Sequence, residues 1–365
     1  MADALRKHMA LRVLNLSSNE ISTAAADHLY ESFQNKNTLK KFRLTDNRYG
    51  HFFALETAVC IKRQKNFKQL LWSSRRIGNN GVRYLIEALR HNSVLTKINL
   101  TRNQVGNAGV QYLADALQHY PTLVRLNLEE NEIDGQGAQY LANVLEPILV
   151  LEELNLNRNI IGEQGAKYLA DALTKSKTLI RLDLGNNQIG NEGALYLAKA
   201  LENHRTLTSL SLESNCIEDQ GAQYLAHASE TNTMLISLDL RSNHIGDQGA
   251  DYLADALMNN TTLTTLKLRG NEIGPSGTKY LIDAQKNRTT PIQLEINGTL
   301  KLQCKSGHRL ELYNSNMRMK NVQRQGASVK IVCDKCSKNV SWLSWYCPCS
   351  TNGFDICEEC ANKND

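Results

Sequence analysis

Leu123–Ile133 reads LVRLNLEENEI, and the chain repeats this pattern every 28 residues. Its asparagine belongs to a column made of Asn19, Asn47, Asn103, Asn131, Asn159, Asn187, Asn215, Asn243 and Asn271. Every interval in that column is 28 residues except one of 56, in which Arg75 holds the intervening position. About ten such units fill roughly the first four-fifths of the chain, and self-similarity at this period is the mark of a solenoid.

Within a unit, Leu123, Leu126 and Leu128 recur in phase as Leu151, Leu154 and Leu156, then as Leu179, Leu182 and Leu184. The alternation around Asn127 has period two and predicts a short strand with one buried face. Ile133, Gly137 and the run AQYLANVL follow. In that run Leu141, Val144 and Leu145 are spaced by three and four, which predicts an amphipathic helix. Each unit is therefore strand, turn and helix, and the strands stack in parallel. One unit is too small to bury its own apolar face, so its neighbours must cover it. The asparagine answers a second need. Backbone groups at the inward turn lose their strand partners, and burying each unpaired costs about 1–3 kcal/mol. A carboxamide carries both donor and acceptor, and is expected to bond backbone in its own turn and in the next.

The pattern LxxLxLxxNxIGxxGAxxLAxAL resembles the ribonuclease-inhibitor-type leucine-rich repeat, as found in NOD-like receptors and Ran GTPase-activating proteins. The resemblance implies an α/β fold: a curved horseshoe solenoid over residues 1–296, with parallel strands on the concave face and helices outside. Mammalian ribonuclease inhibitors carry many cysteines in their repeats. Here only Cys60 and Cys216 lie in the repeat region, so ribonuclease binding is not implied.

A tyrosine column runs beside the asparagines, from Tyr84 and Tyr112 through Tyr140, Tyr168, Tyr196, Tyr224 and Tyr252 to Tyr280. Its invariance between units marks packing, because recognition is written in positions that vary. The varying positions lie between and just after the strand leucines, and in the horseshoe they face the concave side. Early units place Lys41, Arg43, Arg48, Arg76, Lys97 and Arg102 there, and the next units place Glu129, Glu130, Glu132, Glu153 and Asp183. This division predicts a polar protein partner laid across the strands, met by Arg43, Arg102, Arg125, Asn127, Glu129, Glu130, Glu153 and Asp183. The unit from Tyr49 to Ile77 is the least regular and carries Arg75 in place of asparagine. Ran GTPase-activating proteins present an arginine from an early repeat rim. By that resemblance, Arg75 or Arg76 supplies the alternative reading, regulation of a small GTPase.

The repeat fades after Asn271, and residues 297–365 form a different module with seven of the nine cysteines. Seven is an odd number for disulfides, and the spacings are chelating. Cys304 with His308, Cys333 with Cys336, Cys347 with Cys349, and Cys357 with Cys360 make eight nitrogen and sulfur ligands. That set suits two closed tetrahedral Zn2+ sites of structural type, with an iron–sulfur cluster as the poorer alternative. IVCDKC, WYCPC and FDICEEC resemble the ZZ-type zinc finger and its cross-brace relatives. The resemblance assigns Cys333, Cys336, Cys357 and Cys360 to one ion, and Cys304, His308, Cys347 and Cys349 to the other. The third pair is CxC rather than CxxC, and the second site draws on upstream ligands, so the match is to the cross-brace and not to its fine geometry. Some ZZ fingers hold protein N-termini with acidic residues. Asp334 and Asp355 match those positions, while Gly353 stands where a further acid often sits. A ubiquitin-pathway role through the finger is a further alternative, although no RING-type cysteine–histidine centre is present.

Composition bounds the rest. A net charge of +5 over 365 residues does not argue for nucleic acid. Residues 301–365 carry ten Lys and Arg against six Asp and Glu, an excess that zinc-bound thiolates largely cancel. No apolar run is long enough for membrane insertion, and the first residues lack a signal peptide's apolar core. No nucleophile, base or paired-carboxylate set can be assembled. The expectation is a cytoplasmic, non-enzymatic adaptor with protein partners and no small-molecule substrate.

Overall fold

A computed structural model describes residues 11–33, 41–44, 51–61, 68–90, 92–117, 120–145, 150–296 and six short strand segments between 302 and 346. Strand and helix alternate throughout the first part. The strands are β1 (Val13–Asn15), β2 (Lys41–Arg43), β3 (Gln69–Leu71), β4 (Lys97–Asn99), β5 (Arg125–Asn127) and β6 (Glu153–Asn155), continued by β7 (Arg181–Asp183), β8 (Ser209–Ser211), β9 (Ser237–Asp239), β10 (Thr265–Lys267) and β11 (Gln293–Glu295). Between them run α1 (Thr23–Phe33), α2 (His51–Ile61), α3 (Gly78–Leu89), α4 (Asn107–Leu117) and α5 (Gly135–Leu145), then α6 (Gly162–Leu173), α7 (Gly190–Glu202), α8 (Asp219–Thr231), α9 (Asp247–Asn259) and α10 (Pro275–Asn287).

Strands β3 to β11 form one nine-stranded parallel sheet in sequence order. Each residue pairs with the one 28 positions on, as Leu126 with Leu154 and Leu154 with Leu182. The leucine columns fill the space between sheet and helices: Leu126, Leu128, Ile133, Leu141 and their equivalents are buried in one continuous cluster. Five of the column tyrosines, Tyr140 to Tyr252, pack against that cluster, and Tyr84 belongs to a second cluster with Phe42 and Leu55. Tyr84 is fully buried and Tyr140, Tyr168, Tyr196, Tyr224 and Tyr252 half-buried, while Tyr112 and Tyr280 stay exposed.

The asparagine column is a hydrogen-bond ladder that reaches backward. Asn131 donates to Leu128 O and Glu129 O of its own turn, and to Leu100 O of the preceding unit. Its Oδ1 accepts Asn103 N and Val105 N, each at 3.0 Å, also in the preceding unit. The expected bond to the next turn is made instead by the next asparagine reaching back. One residue ahead of the ladder positions from 75 to 271 the chain turns through the left-handed region, with φ from +52 to +58° at Ser74, Arg102, Glu130, Arg158, Asn186, Ser214 and Ser242, and +80° at Gly270.

Two further ladders complete the stack. At the helix-to-strand turn, Asn232 donates to Leu201 O and His204 O, and accepts Met234 N and Leu235 N. Asn260 repeats this geometry one unit on. His204 holds the same place, accepting Thr206 N and Leu207 N on Nδ1, while its buried Nε2 has no partner among the described residues. At several helix N-termini the cap comes from the preceding unit. Asp219 Oδ1 accepts Gly246 N and Gly249 N at 2.6 and 2.9 Å, and Asp247 does the same for Gly274 and Gly277. Asn79 and Asn191 serve their successors likewise.

His204 gives the stack an acid sensitivity. Burial lowers its pKa from the ordinary value, because the charged ring has lost its water. The unfolded chain takes up the proton at about pH 6.5 and the folded chain resists it. The contribution is therefore complete above about pH 6.5 and is lost as pH falls toward the depressed folded value. His204→Asn, which restores the side chain used at 232 and 260, is expected to stabilise by about 0.5–1.5 kcal/mol and to flatten the fall between pH 7 and 5. Urea titrations of both chains across that range check it; parallel pH profiles would rule it out.

Among the described residues the parallel sheet of the repeats is interrupted once. β1 pairs only with β2, in a separate two-stranded sheet, and among the described residues β2 has no hydrogen-bonded partner in β3. The break falls where Arg75 replaces the ladder asparagine. Past β11 six short strands make two three-stranded antiparallel sheets, Leu302–Gln303, Arg309–Leu312 and Trp345–Tyr346 in one, and Gln323–Gln325, Ser328–Val332 and Asn339–Ser341 in the other.

Candidate functional site

On the strand face the odd-numbered strand residues point away from the core, as the exposure of Arg125 and Arg181 against buried Leu126 and Leu182 shows. Strict register brings residues 28 apart side by side, so each column of the sequence becomes a row across the sheet. Two rows are built alike. In the strands, Glu153 lies between Arg125 (2.9 Å) and Arg181 (2.8 Å). In the left-handed turns, Glu130 lies between Arg102 (2.7 Å) and Arg158 (3.5 Å). The strained turn conformation sets Arg102, Glu130 and Arg158 in line, one per unit.

These are exposed ion pairs, each worth little to stability. Glu130 is held below the usual carboxylate range chiefly by the hydrogen bond from Arg102, and Arg102 is raised in return. Each arginine spends one donor edge on its glutamate, and a guanidinium has five N–H groups. The arginine side chains remain about half exposed, at 50–63%. Each Arg–Glu–Arg row thus offers unspent donors to an incoming acceptor. Between the rows, Asn127 accepts Thr101 Oγ1 and Glu129 N, Glu129 accepts Asn155 Nδ2, and Asp183 accepts Gly185 N and Asn157 Nδ2.

The structure therefore brings Arg102, Arg125, Asn127, Glu129, Glu130, Glu153 and Asp183 onto one face of β4–β7. Arg43 lies across the break on β2. Within the acidic stretch of that division, Glu130 and Glu153 are each paired with arginines from both neighbouring units. Arg158 and Arg181 were missed by reading charge along the chain, whereas the sign alternation at 28-residue spacing, Arg125–Glu153–Arg181, would have found them. A second cluster also escaped notice. Asp239, nearly buried, accepts Arg241 Nε and Nη2 and lies 3.6 Å from Lys267, while Arg241 also reaches Glu213. Arg75 joins neither cluster; its guanidinium sits 4.9 Å over the Phe53 ring. Cys216 is a free, exposed thiol. All eight expected zinc ligands, with Asp334 and Asp355, lie outside the described residues. Among the described residues no helix is long and apolar enough to cross a membrane.

The family described as Leucine Rich repeat matches eight segments, residues 7–27, 91–114, 119–142, 150–170, 175–198, 203–226, 231–254 and 259–281. The chain belongs to the leucine-rich repeat family. Two of the solved structures similar to this leucine-rich repeat chain are an actin-binding site 2 domain of leiomodin-1 and a tropomodulin C-terminal domain from Caenorhabditis elegans. The first is 24% identical with a TM-score of 0.34, over 36% of this chain and 78% of that one. The second is 17% identical with a TM-score of 0.35, over 42% and 91%. A comparison with curated proteins finds no match.

Proposed function

We propose that this leucine-rich repeat protein is a non-enzymatic, cytoplasmic interaction scaffold whose strand face binds a protein. The observation that carries the reading is the pair of parallel Arg–Glu–Arg rows centred on Glu130 and Glu153. Such rows fit a partner surface that alternates acid and base at the strand spacing of about 4.8 Å. They add little to the stability of the fold, so recognition is the simpler reason for their order. In this reading residues 297–365 hold two structural Zn2+ ions through Cys304, His308, Cys333, Cys336, Cys347, Cys349, Cys357 and Cys360, and recruit a second protein. The thiolate and imidazole donor set supports that metal.

The deciding experiment inverts one row while keeping its ion pairs. Arg125→Glu, Glu153→Arg and Arg181→Glu together exchange every sign in the strand row. Stability is expected to stay within about 0.5 kcal/mol, while proteins captured by the wild-type chain are lost. Capture of the same proteins by the inverted row would end the reading. For the terminal module, metal analysis is expected to return two zinc ions per chain. A chelator should then unfold residues 297–365 and leave the melting of the repeats unchanged.

A further inference from the structure

We propose that an extended, acidic segment of a partner protein adds as an extra strand to the outer edge of β3. The inference starts from the break in the sheet. In the regular units, alternate strand residues direct their N–H and C=O to the preceding and following neighbours. Trp72 N donates to Asn99 O and Ser74 N to Thr101 O, so the even-numbered groups face β4. Gln69 and Leu71 therefore direct their backbone groups to the other side, where β2 would lie in an unbroken stack. Among the described residues nothing takes them: β2 has no pairing with β3, and β3 pairs with β4 alone. The amide of Leu44, which would close the sheet from the β2 side, donates to Glu56 Oε2 at 3.0 Å instead.

The side chains agree with an uncovered edge. Leu71 is 54% exposed, an apolar residue in a row that elsewhere holds Asn99, Asn127 and Asn155, all half-buried. Gln69 and Ser73 are exposed as well. An unpaired strand edge is a template for a further strand, and main-chain pairing there is a recurrent mode of peptide recognition.

Charge selects the occupant. Arg43, Lys68, Arg75 and Arg76 are exposed on the flanks of the break, and Lys97 is the register partner of Gln69. Glu56 is already engaged with Leu44. On an added strand of alternating acidic and apolar residues, the acidic side chains share the face of Arg43 and Lys97, and the apolar ones turn to the opposite face, where Leu70 is buried. This site is separate from the Arg–Glu–Arg rows and stands or falls without them.

The test uses the full chain and a short, blocked, fluorescent peptide of alternating Val and Glu, with a Val and Lys peptide as control. The acidic probe is expected to bind, more weakly as salt rises, and to protect the Gln69 and Leu71 amides from hydrogen exchange; the basic one is expected not to bind. Gln69→Pro removes one outward N–H without touching the β4 pairing, and Leu71→Glu repels the probe while keeping the backbone. Each is expected to weaken binding by roughly tenfold or more. The inverted strand row at 125, 153 and 181 is expected to leave it unchanged. No binding by the acidic probe, binding by both variants undiminished from the wild-type chain, or protection of the two amides through self-association without probe would each overturn the proposal. Loss of binding in the inverted row would also overturn it, while leaving the scaffold reading intact.

Discussion

Asn243→Leu is expected to destabilise the repeat stack by about 2–5 kcal/mol, although leucine is close in size and suits a core. Asn243 is 2% exposed and makes the full set of five bonds. Its Oδ1 accepts Asn215 N at 2.8 Å and Ile217 N at 3.0 Å, and both amides are buried behind the strand. Removing the carboxamide leaves those two donors and the carbonyl of Leu212 unpaired. The carbonyl of Leu240 keeps a partner, because Asn271 also donates to it. Two orphaned buried amides at about 1–3 kcal/mol each set the scale. Asn131, half-buried with the same five bonds, should suffer less, since water reaches part of its turn. Exposed Glu132→Leu should change stability by no more than about 0.5 kcal/mol. Urea unfolding ranks the three chains. In a solenoid each unit leans only on its neighbours, so hydrogen exchange should show protection falling first around residues 212–245. Equal costs for Asn243→Leu and Glu132→Leu would mean that the ladder is ornamental.

The ladder illustrates what the sequence could and could not convey. A column of nine asparagines at one spacing dictates stacked units, and the leucine phase dictates which face is buried; both are properties of a single repeat seen many times. The direction in which Asn131 reaches depends on how one turn is offset from the last, and no periodicity encodes that offset. The break between β2 and β3 was half legible. Arg75 marked an irregular unit, but that the irregularity would open the sheet depends on Glu56 satisfying Leu44 from a helix. The candidate surface was legible in its residues and not in its pairing. Glu130 and Glu153 read as an acidic block along the chain, because neighbours in the fold are 28 positions apart in the sequence. The capping ladder was hidden for another reason. Asp219 and Asp247 look like ordinary first-turn acids on their own helices, yet their bonds go to the next one.

That cap from the preceding unit accounts for the glycine at 249 and, with Asp247, at 277, and the explanation is open to a double-mutant test. A Cβ on Gly249 would lie 2.6 Å from Asp219 Oδ1, 2.7 Å from Ile245 Cγ2 and 3.1 Å from Ala222 Cβ. Gly249→Ala must therefore displace the capping carboxylate and crowd its own isoleucine, at an expected cost of about 2–3 kcal/mol. Asp219→Ala removes two charge-assisted bonds to the start of α9 and is expected to cost about 1.5–3 kcal/mol. With Asp219 already gone, the new methyl loses its hardest collision and there is no cap left to displace. The double variant should then be less destabilised than the sum by about 1 kcal/mol or more. Gly165 provides the control. Its facing position is Gly135, with no side chain to cap α6, and its added Cβ would meet Ile161 Cγ2 at 2.5 Å and the Gly135 Cα at 3.0 Å. Gly165→Ala should be costly through those contacts alone, and indifferent to Asp219→Ala. Strict additivity at 219 and 249 would show that the glycine is required by the isoleucine rather than by the carboxylate. Coupling at 219–249 alone would show that α9 is capped by its predecessor, a bond that ties those two neighbouring units together.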